Sequence, residues 1–231
     1  INTAKVEGQT IDIQSNTNIN TTDVTADETL SLRANNGEIN TAKVEGQTID
    51  IQSNTNITTT DVIANETLNL RTTNGEISTA KVEAPIVDIQ ANTNINTTDV
   101  TATEEDITFN AQTGSITTSN LNAEKGQVNF TAGDGITTTT IDAESVQLDG
   151  NNDITTTDII ATNGAINVTS ESGSIASGNL TAQGETQASG VTLNAPGNIT
   201  TGNINTASET AQVGAIALNS ETGAIQSGDL T

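Results

Sequence analysis

The sequence predicts an all-β fold, a right-handed single-stranded parallel β-helix (β-solenoid) of about eleven coils of roughly 20 residues each. Three observations predict it: a repeat that runs through the chain, strand-type alternation within each repeat, and a composition suited to strands and turns. Residues 1–38 recur over 39–76 with 32 of 38 positions identical, and each stretch consists of two related halves. Units of this half-repeat start at Ile1, Ile19, Ile39, Ile57, Ile77, Ile95, Ile116, Ile136, Ile154, Ile175, Ile199 and Ile225.

Positions counted from the isoleucine that starts each unit form uniform columns. Position three is Thr or Ser and position six is aliphatic in every unit. Two apolar residues separated by one other residue follow later, as in Ile11 and Ile13, and a polar turn then leads to the next unit. Alternation with a period of two indicates short strands. Stacked coils would place equal positions about 4.8 Å apart, and right-handed coiling is the usual hand of parallel crossover connections.

The composition limits which residue types can fill the core and which classes of partner the chain can bind. The chain has no Cys, Met, Trp, Tyr or His and only two Phe, so Ile, Val, Leu and Ala must fill a thin core. Six basic residues stand against 29 acidic ones, which gives a net charge of −23. Nucleic-acid binding needs clustered Lys and Arg, so we expect no nucleic-acid partner. Since no apolar run is long enough to span a bilayer, we also expect no membrane insertion.

We expect residues 1–231 to form a single β-solenoid shaft that is a segment of a longer repetitive chain or filament. No capping segment is recognisable at either end of the sequence. Open coils would then pair with further coils of the same chain or, end to end, with another copy. The longest units carry insertions at 183–190 and 207–214, which are predicted to be loops on one edge.

Position five alternates between Lys and Asp through the first six units. We expect opposite charges to meet in neighbouring coils and to favour the correct register over slipped ones. Each exposed pair would contribute only about 0.2–1 kcal/mol. The predicted structural ladder combines this column with the threonines of position three and comprises Lys5, Asp23, Lys43, Asp61, Lys81, Asp99, Thr3, Thr21, Thr41, Thr59, Thr79 and Thr97.

The residues that usually carry catalysis are missing. Without His and Cys, the common general base, thiol nucleophile and transition-metal ligands are absent, so we expect no catalytic residues, no cofactor and no enzymatic activity. Parallel β-helices do occur in polysaccharide lyases and hydrolases, so a carbohydrate-active enzyme is an alternative. Such enzymes gather carboxylates with Lys or Arg in a cleft, whereas the acidic residues here are dispersed.

Two binding functions are further alternatives. The densest acidic run could bind calcium or simply form a solvated turn; its calcium candidates are Glu104, Glu105 and Asp106. Ranked threonines such as Thr137 and Thr139 could bind ice on a flat β-helix face. That array is interrupted by residues of other types, at Asn20, Ala42 and Gly202.

Segments of the repeat resemble bacterial filamentous-haemagglutinin-like exoproteins of two-partner secretion; these segments are 164–168, 172–180 and 223–230. The resemblance covers the repeat, effectively the whole chain, and the secretion domain of that family is not visible in it. It implies a shaft that is secreted through an outer-membrane partner and serves adhesion, aggregation or a surface layer, with a host or cell-surface receptor. We therefore expect an extracellular structural or adhesive filament at the surface of a bacterium.

Overall fold

A computed structural model describes residues 1–184, 189–206 and 213–231. Within these ranges the chain forms a β-solenoid of about 10 turns, with coils of about 20 residues and parallel strands, which confirms the predicted fold class. No helix in the described ranges could cross a membrane. The predicted insertions fall partly on residues 185–188 and 207–212, which lie outside the described residues.

Each coil contributes to three stacks of strand segments. The first stack holds two-residue strands that begin with the column isoleucine: Ile19–Asn20, Ile39–Asn40, Ile57–Thr58, Ile77–Ser78, Ile95–Asn96, Ile116–Thr117, Ile136–Thr137, Ile154–Thr155, Ile175–Ala176, Ile199–Thr200 and Ile225–Gln226. The second stack carries position six, and the third carries the apolar pair. In six coils one long strand runs through both: Lys5–Ser15, Asp23–Ala34, Lys43–Ser53, Asp61–Thr72, Asn120–Ala132 and Thr140–Gly150.

In the remaining coils the second and third segments are separate strands. Those of the second stack are Lys81–Ala84, Asp99–Ala102, Ile159–Ala161, Leu180–Ala182 and Ile204–Asn205. Those of the third stack are Val87–Ala91, Ile107–Ala111, Ile166–Ser170, Val191–Ala195 and Ile216–Ser220. The first stack forms an 11-stranded sheet, and the other two form one 16-stranded sheet.

Equal positions pair from coil to coil. Ile19 is in register with Ile39, and Val24 with Val44. Units of different length are accommodated between the second and third segments, where the register shifts, for example between Ala123 and Gln127. The apolar columns therefore stay aligned although the coils differ in length, because a slip of one residue would turn every buried side chain outward.

The core is one continuous apolar column through the middle of the coils. Phe109 and Phe130 are registered neighbours in the third stack, and their rings stack with centroids 4.6 Å apart and planes 3° from parallel. Position eight is Gly or Ala except at Thr206. That side chain is only 1% exposed, and its hydroxyl donates to the Gly214 carbonyl oxygen at 3.0 Å, so the exception is a satisfied polar group.

Candidate functional surfaces

The charged ladder of position five lies on the outside of the second stack, where each member is in register with the next: Lys5, Asp23, Lys43, Asp61, Lys81 and Asp99. The ammonium groups contact other partners, however. Lys43 Nζ lies 2.5 Å from Glu45 Oε1, and Lys81 Nζ lies 2.8 Å from Glu83 Oε2, two residues further along the same strand. Among these six ladder residues, all of them described, no Lys–Asp pair comes within 4.0 Å.

The lysines prefer these glutamates because side chains two residues apart point to the same side of a strand. The pKa of Lys81 is raised above its ordinary value first by the hydrogen bond and charge of Glu83. Asp61 and Asp99 in the adjoining coils raise it further through longer-range attraction. The aspartates thus act on the lysine without forming the direct ion pairs that the sequence suggested.

A second set of ion pairs does connect coils. Arg33 and Arg71 lie on the outside of the third stack, in one column with glutamines. Arg33 Nη2 lies 3.4 Å from Asp50 Oδ2 and Arg71 Nη2 lies 3.7 Å from Asp88 Oδ2, each in the following coil. Because these groups are partly exposed, each pair contributes little to stability by itself.

In the last coils position five has a different function. The Asn203 amide N–H donates to Asn179 Oδ1 at 3.0 Å, and the Asp229 N–H donates to Asn203 Oδ1 at 2.9 Å. The Asn179 N–H donates in the same way to Asp158 Oδ1, at 2.7 Å. Charge alternation is thus replaced by a ladder of side-chain to backbone hydrogen bonds. The sequence signal for it is the glycine that precedes position five at Gly178, Gly202 and Gly228.

A similar ladder supports the turn before the column isoleucine. Asn18 Oδ1 accepts from the Glu38 N–H at 3.2 Å, and Asp153 Oδ1 accepts from the Ser174 N–H at 2.8 Å. The equivalent bond of Asn94 to Ser115 is 3.0 Å. These polar residues act on the neighbouring coil and hold the turns in register.

The threonines of position three point inward. Thr3 in the first coil is exposed, and the others are buried: Thr21, Thr41, Thr59, Thr79 and Thr97. The column continues through Thr138, whose hydroxyl donates to the Ser119 carbonyl oxygen at 3.1 Å, and Thr156, whose buried hydroxyl has no partner. An inward column of this kind supports the core and presents nothing to a ligand.

Two isosteric substitutions distinguish the hydrogen-bonded hydroxyl of Thr138 from the unpartnered hydroxyl of Thr156. Thr156→Val is expected to leave the free energy of unfolding unchanged or to raise it, because it removes an unsatisfied buried hydroxyl. Thr138→Val is expected to lower it by about 1 kcal/mol, because a satisfied bond to a backbone carbonyl is lost. Urea denaturation of both variants measures the difference. Equal losses for the two valines would contradict the assigned hydrogen bonds.

The acidic run lies in the turn between the second and third stacks. Glu104 Oε2 lies 3.0 Å from Lys125 Nζ in the next coil, and Asp106 Oδ1 accepts from the Gln127 N–H at 2.8 Å. The Glu104 and Glu105 N–H groups both donate to the Pro85 carbonyl oxygen. Within the described ranges, no group of three or more acidic side chains has a geometry that could hold a metal ion.

The ranked threonines of position four also serve the shaft. The hydroxyls of Thr60 and Thr157 each donate, at 2.6 Å, to the carbonyl oxygen of position four in the preceding coil. Thr98 makes the same bond to Ala80. Since these donors are used within the protein, position four does not form a regular array of free hydroxyls of the kind that the ice-binding alternative requires.

Two aspartates are expected to respond oppositely to pH. Burial, followed by the charge of Glu124, raises the pKa of Asp142, and its Oδ1 has no hydrogen-bond partner. Hydrogen bonds from Asn152 and then Ser115 lower the pKa of Asp134. Ionised Asp142 therefore destabilises the fold as the pH rises above 3.8, whereas ionised Asp134 contributes stability that is lost as the pH falls below 3.8.

Asn substitutions test these two signs. Asp142→Asn is expected to raise the melting temperature at pH 7, with the gain disappearing under acid conditions in which both forms are neutral. Asp134→Asn is expected to lower the melting temperature at pH 7, with a loss that disappears in the same way. Melting curves followed by circular dichroism from pH 7 down to pH 2 provide the measurement. Shifts of the same sign at pH 7 would contradict the assignment.

A shallow groove runs along the axis at the corner after the third stack. Its floor is the column of small residues that ends each strand there: Ala91, Ala111, Ala132, Gly150, Ser170 and Ala195. In each coil the residue before this column contributes to one wall and the residue after it contributes to the other, as Asn110 and Gln112 do on either side of Ala111. The part between Asn110 and Glu171 has a volume of about 550 Å³. Sequence reasoning missed the groove because no single coil departs from the repeat to form it.

Comparison with protein-family models, with curated proteins and with solved structures finds no significant match in any of the three. The fold and the geometry of these surfaces define the class of molecule: a parallel β-solenoid shaft.

Proposed function

We propose that the chain is the shaft of an extracellular structural or adhesive filament. The observation that carries the proposal is the unbroken register of the first stack, in which column isoleucine pairs with column isoleucine from Ile19 to Ile225. Every coil presents the same kind of surface to its neighbour. A shaft of this type can therefore be extended by further coils, of the same chain or of another copy, without a new type of interface.

The outer surface supports the same proposal. A net charge of −23 spread over the coils solvates an elongated body and keeps parallel shafts apart. Many of the polar side chains bind the adjoining coil, as the Arg33–Asp50 pair and the asparagine ladders do. The resemblance to haemagglutinin-like repeats adds secretion through an outer-membrane partner and a host or cell-surface receptor to the proposal.

Electron microscopy of the native material tests this function. We expect rods or continuous filaments, with a spacing near 4.8 Å along the axis in diffraction from aligned specimens. Antibodies against the shaft are expected to label intact bacterial cells without permeabilisation. Compact, isolated particles would contradict the filament, and labelling that requires permeabilised cells would contradict the surface location.

A further inference from the structure

We propose that the groove after the third stack binds a linear, uncharged polysaccharide that lies parallel to the shaft axis. The inference deepens the adhesive function proposed above, on which its biological role rests, by naming the class of receptor. Binding itself needs only a folded shaft. The two proposals therefore have separate tests.

The groove walls carry free hydrogen-bonding groups. Within the ranges that the structure describes, the side chains of Asn110, Gln112, Thr131 and Asn151 make no hydrogen bond. An amide offers two donors and an acceptor, and a hydroxyl offers one donor with acceptor lone pairs. Such groups suit a ligand whose surface consists of hydroxyls that both donate and accept.

The groove is continuous over many coils. The part lined by Arg71 to Gln112 shares Asn110 and Gln112 with the central part. The central part in turn shares Thr169 and Glu171 with the part that ends at Glu221. One wall follows a registered column through Arg71, Gln90, Asn110, Thr131, Asp149, Thr169, Asn194 and Asn219.

This column contains seven coil-to-coil steps, which correspond to about 34 Å at 4.8 Å per step. A polar side chain stands at this wall in every coil, and three successive coils carry the free groups. Such a groove fits a polymer of repeating units better than a compact ligand. Each sugar unit would gain a few weak contacts. The affinity would accumulate along the polysaccharide because further sugar units bind at high effective concentration.

Charge disfavours acidic polymers, and backbone pairing excludes an added peptide strand. Asp149, Glu171 and Glu221 line the groove and outnumber Arg71 there, so uronic acid or sulfated polymers would be repelled. The floor offers no unpaired strand edge, because the Gly133 N–H donates to the Ala111 carbonyl at 2.8 Å and the Asn151 N–H donates to the Ala132 carbonyl at 3.1 Å. A peptide could not add to the sheet there.

Binding of oligosaccharides of graded length tests the proposal. The probes are cello-, xylo-, manno-, malto- and chito-oligosaccharides, titrated calorimetrically into the full chain. We expect at least one series to bind with an affinity that rises with length until the oligosaccharide spans the groove. Absence of binding in every series, affinity independent of length, or preferential binding of heparin or polygalacturonate would overturn the proposal.

Matched variants locate the binding surface. Asn110→Ala, Gln112→Ala and Thr131→Ala combined are expected to weaken the bound series at least tenfold. Thr101→Ala, Asn122→Ala and Thr181→Ala combined remove three uncharged polar side chains from the outside of the second stack and should leave affinity unchanged. Circular dichroism checks that both are folded. Equal affinities for the two variants would overturn the placement. A chain that binds oligosaccharides but forms no filament would contradict only the filament.

Discussion

Replacement of Phe109 with alanine is expected to lower the free energy of unfolding by about 3–5 kcal/mol. The Phe109 side chain is 1% exposed, and its ring stacks on that of Phe130 at 4.6 Å. Ile89 lies in the same column on the other side. Alanine would leave a cavity between two coils whose spacing is fixed by the backbone ladder. The structure around it therefore cannot collapse to fill the space.

Phe109→Leu is the matched control, because leucine occupies this column at Leu148. We expect a smaller loss than for alanine, because leucine removes less of the buried volume and leaves a smaller cavity. A double-mutant cycle with Phe130→Leu should give a coupling of about 0.5–1.5 kcal/mol from the stacked rings. Urea denaturation gives the free energies, and hydrogen exchange reports local opening, since a solenoid can open in parts. Equal losses for alanine and leucine would argue against the close packing of this column.

Gly173→Ala is expected to lower the free energy of unfolding by about 1–3 kcal/mol, as overpacking does. A Cβ on Gly173 would lie 2.5 Å from the Asp153 amide nitrogen and 2.6 Å from the Asn152 carbonyl carbon. These are backbone atoms of the preceding coil, which no side-chain rotation can move away. The shift would also disturb the 2.8 Å hydrogen bond from the Ser174 N–H to Asp153 Oδ1.

Gly46→Ala is the opposite case. Its Cβ would meet Ile49 Cγ1 at 3.4 Å, and the registered residue in the next coil is already Ala64. Alanine there restricts the unfolded chain without a close contact, so we expect a gain of about 0.4–1 kcal/mol. Melting temperatures of the two variants measure the contrast. A loss at Gly46 as large as that at Gly173 would contradict the difference in spacing between these coil positions.

The fold was predictable because the sequence repeats the same residue types at regular intervals. Equal residue types recur every 18 to 26 positions, beginning at Ile1 and ending at Ile225. Only stacked coils can bury the apolar members of this pattern together. Burial of the column isoleucines from Ile19 to Ile199 and of the apolar pairs from Leu30 to Leu193 follows from the same pattern. The absence of bulky residues in most columns predicted a thin core, and the two phenylalanines of the chain are accommodated by facing each other.

The lysine contacts are not predictable from position five alone, because they depend on a second outward column. The residue type at position seven changes in step with that at position five. The coils that carry Lys5, Lys43 and Lys81 therefore also carry Glu7, Glu45 and Glu83. A lysine side chain reaches along its own strand to these carboxylates. Positions five and seven together predict these pairs, since both face outward on one strand.

The groove and the asparagine ladders depend on the shape of the bends, which column identity does not specify. Whether Asn179 faces solvent or accepts the Asn203 N–H depends on how closely the coils approach there. Glycine at position four is the sequence mark of that approach. The groove likewise depends on how the chain bends after the third stack, which the residue types of the columns do not specify.

Cysteine pairs on the first stack test the coil register most directly, since the chain has no cysteine of its own. Thr117, Thr137 and Thr155 are exposed and follow one another in register. Neighbouring coils lie about 4.8 Å apart, within the Cα range of about 4.4–6.8 Å for a disulfide. Thr117→Cys with Thr137→Cys is therefore expected to form an intramolecular disulfide on mild oxidation. Thr117→Cys with Thr155→Cys, two coils apart, should remain reduced, and the reverse result would contradict the stacked solenoid.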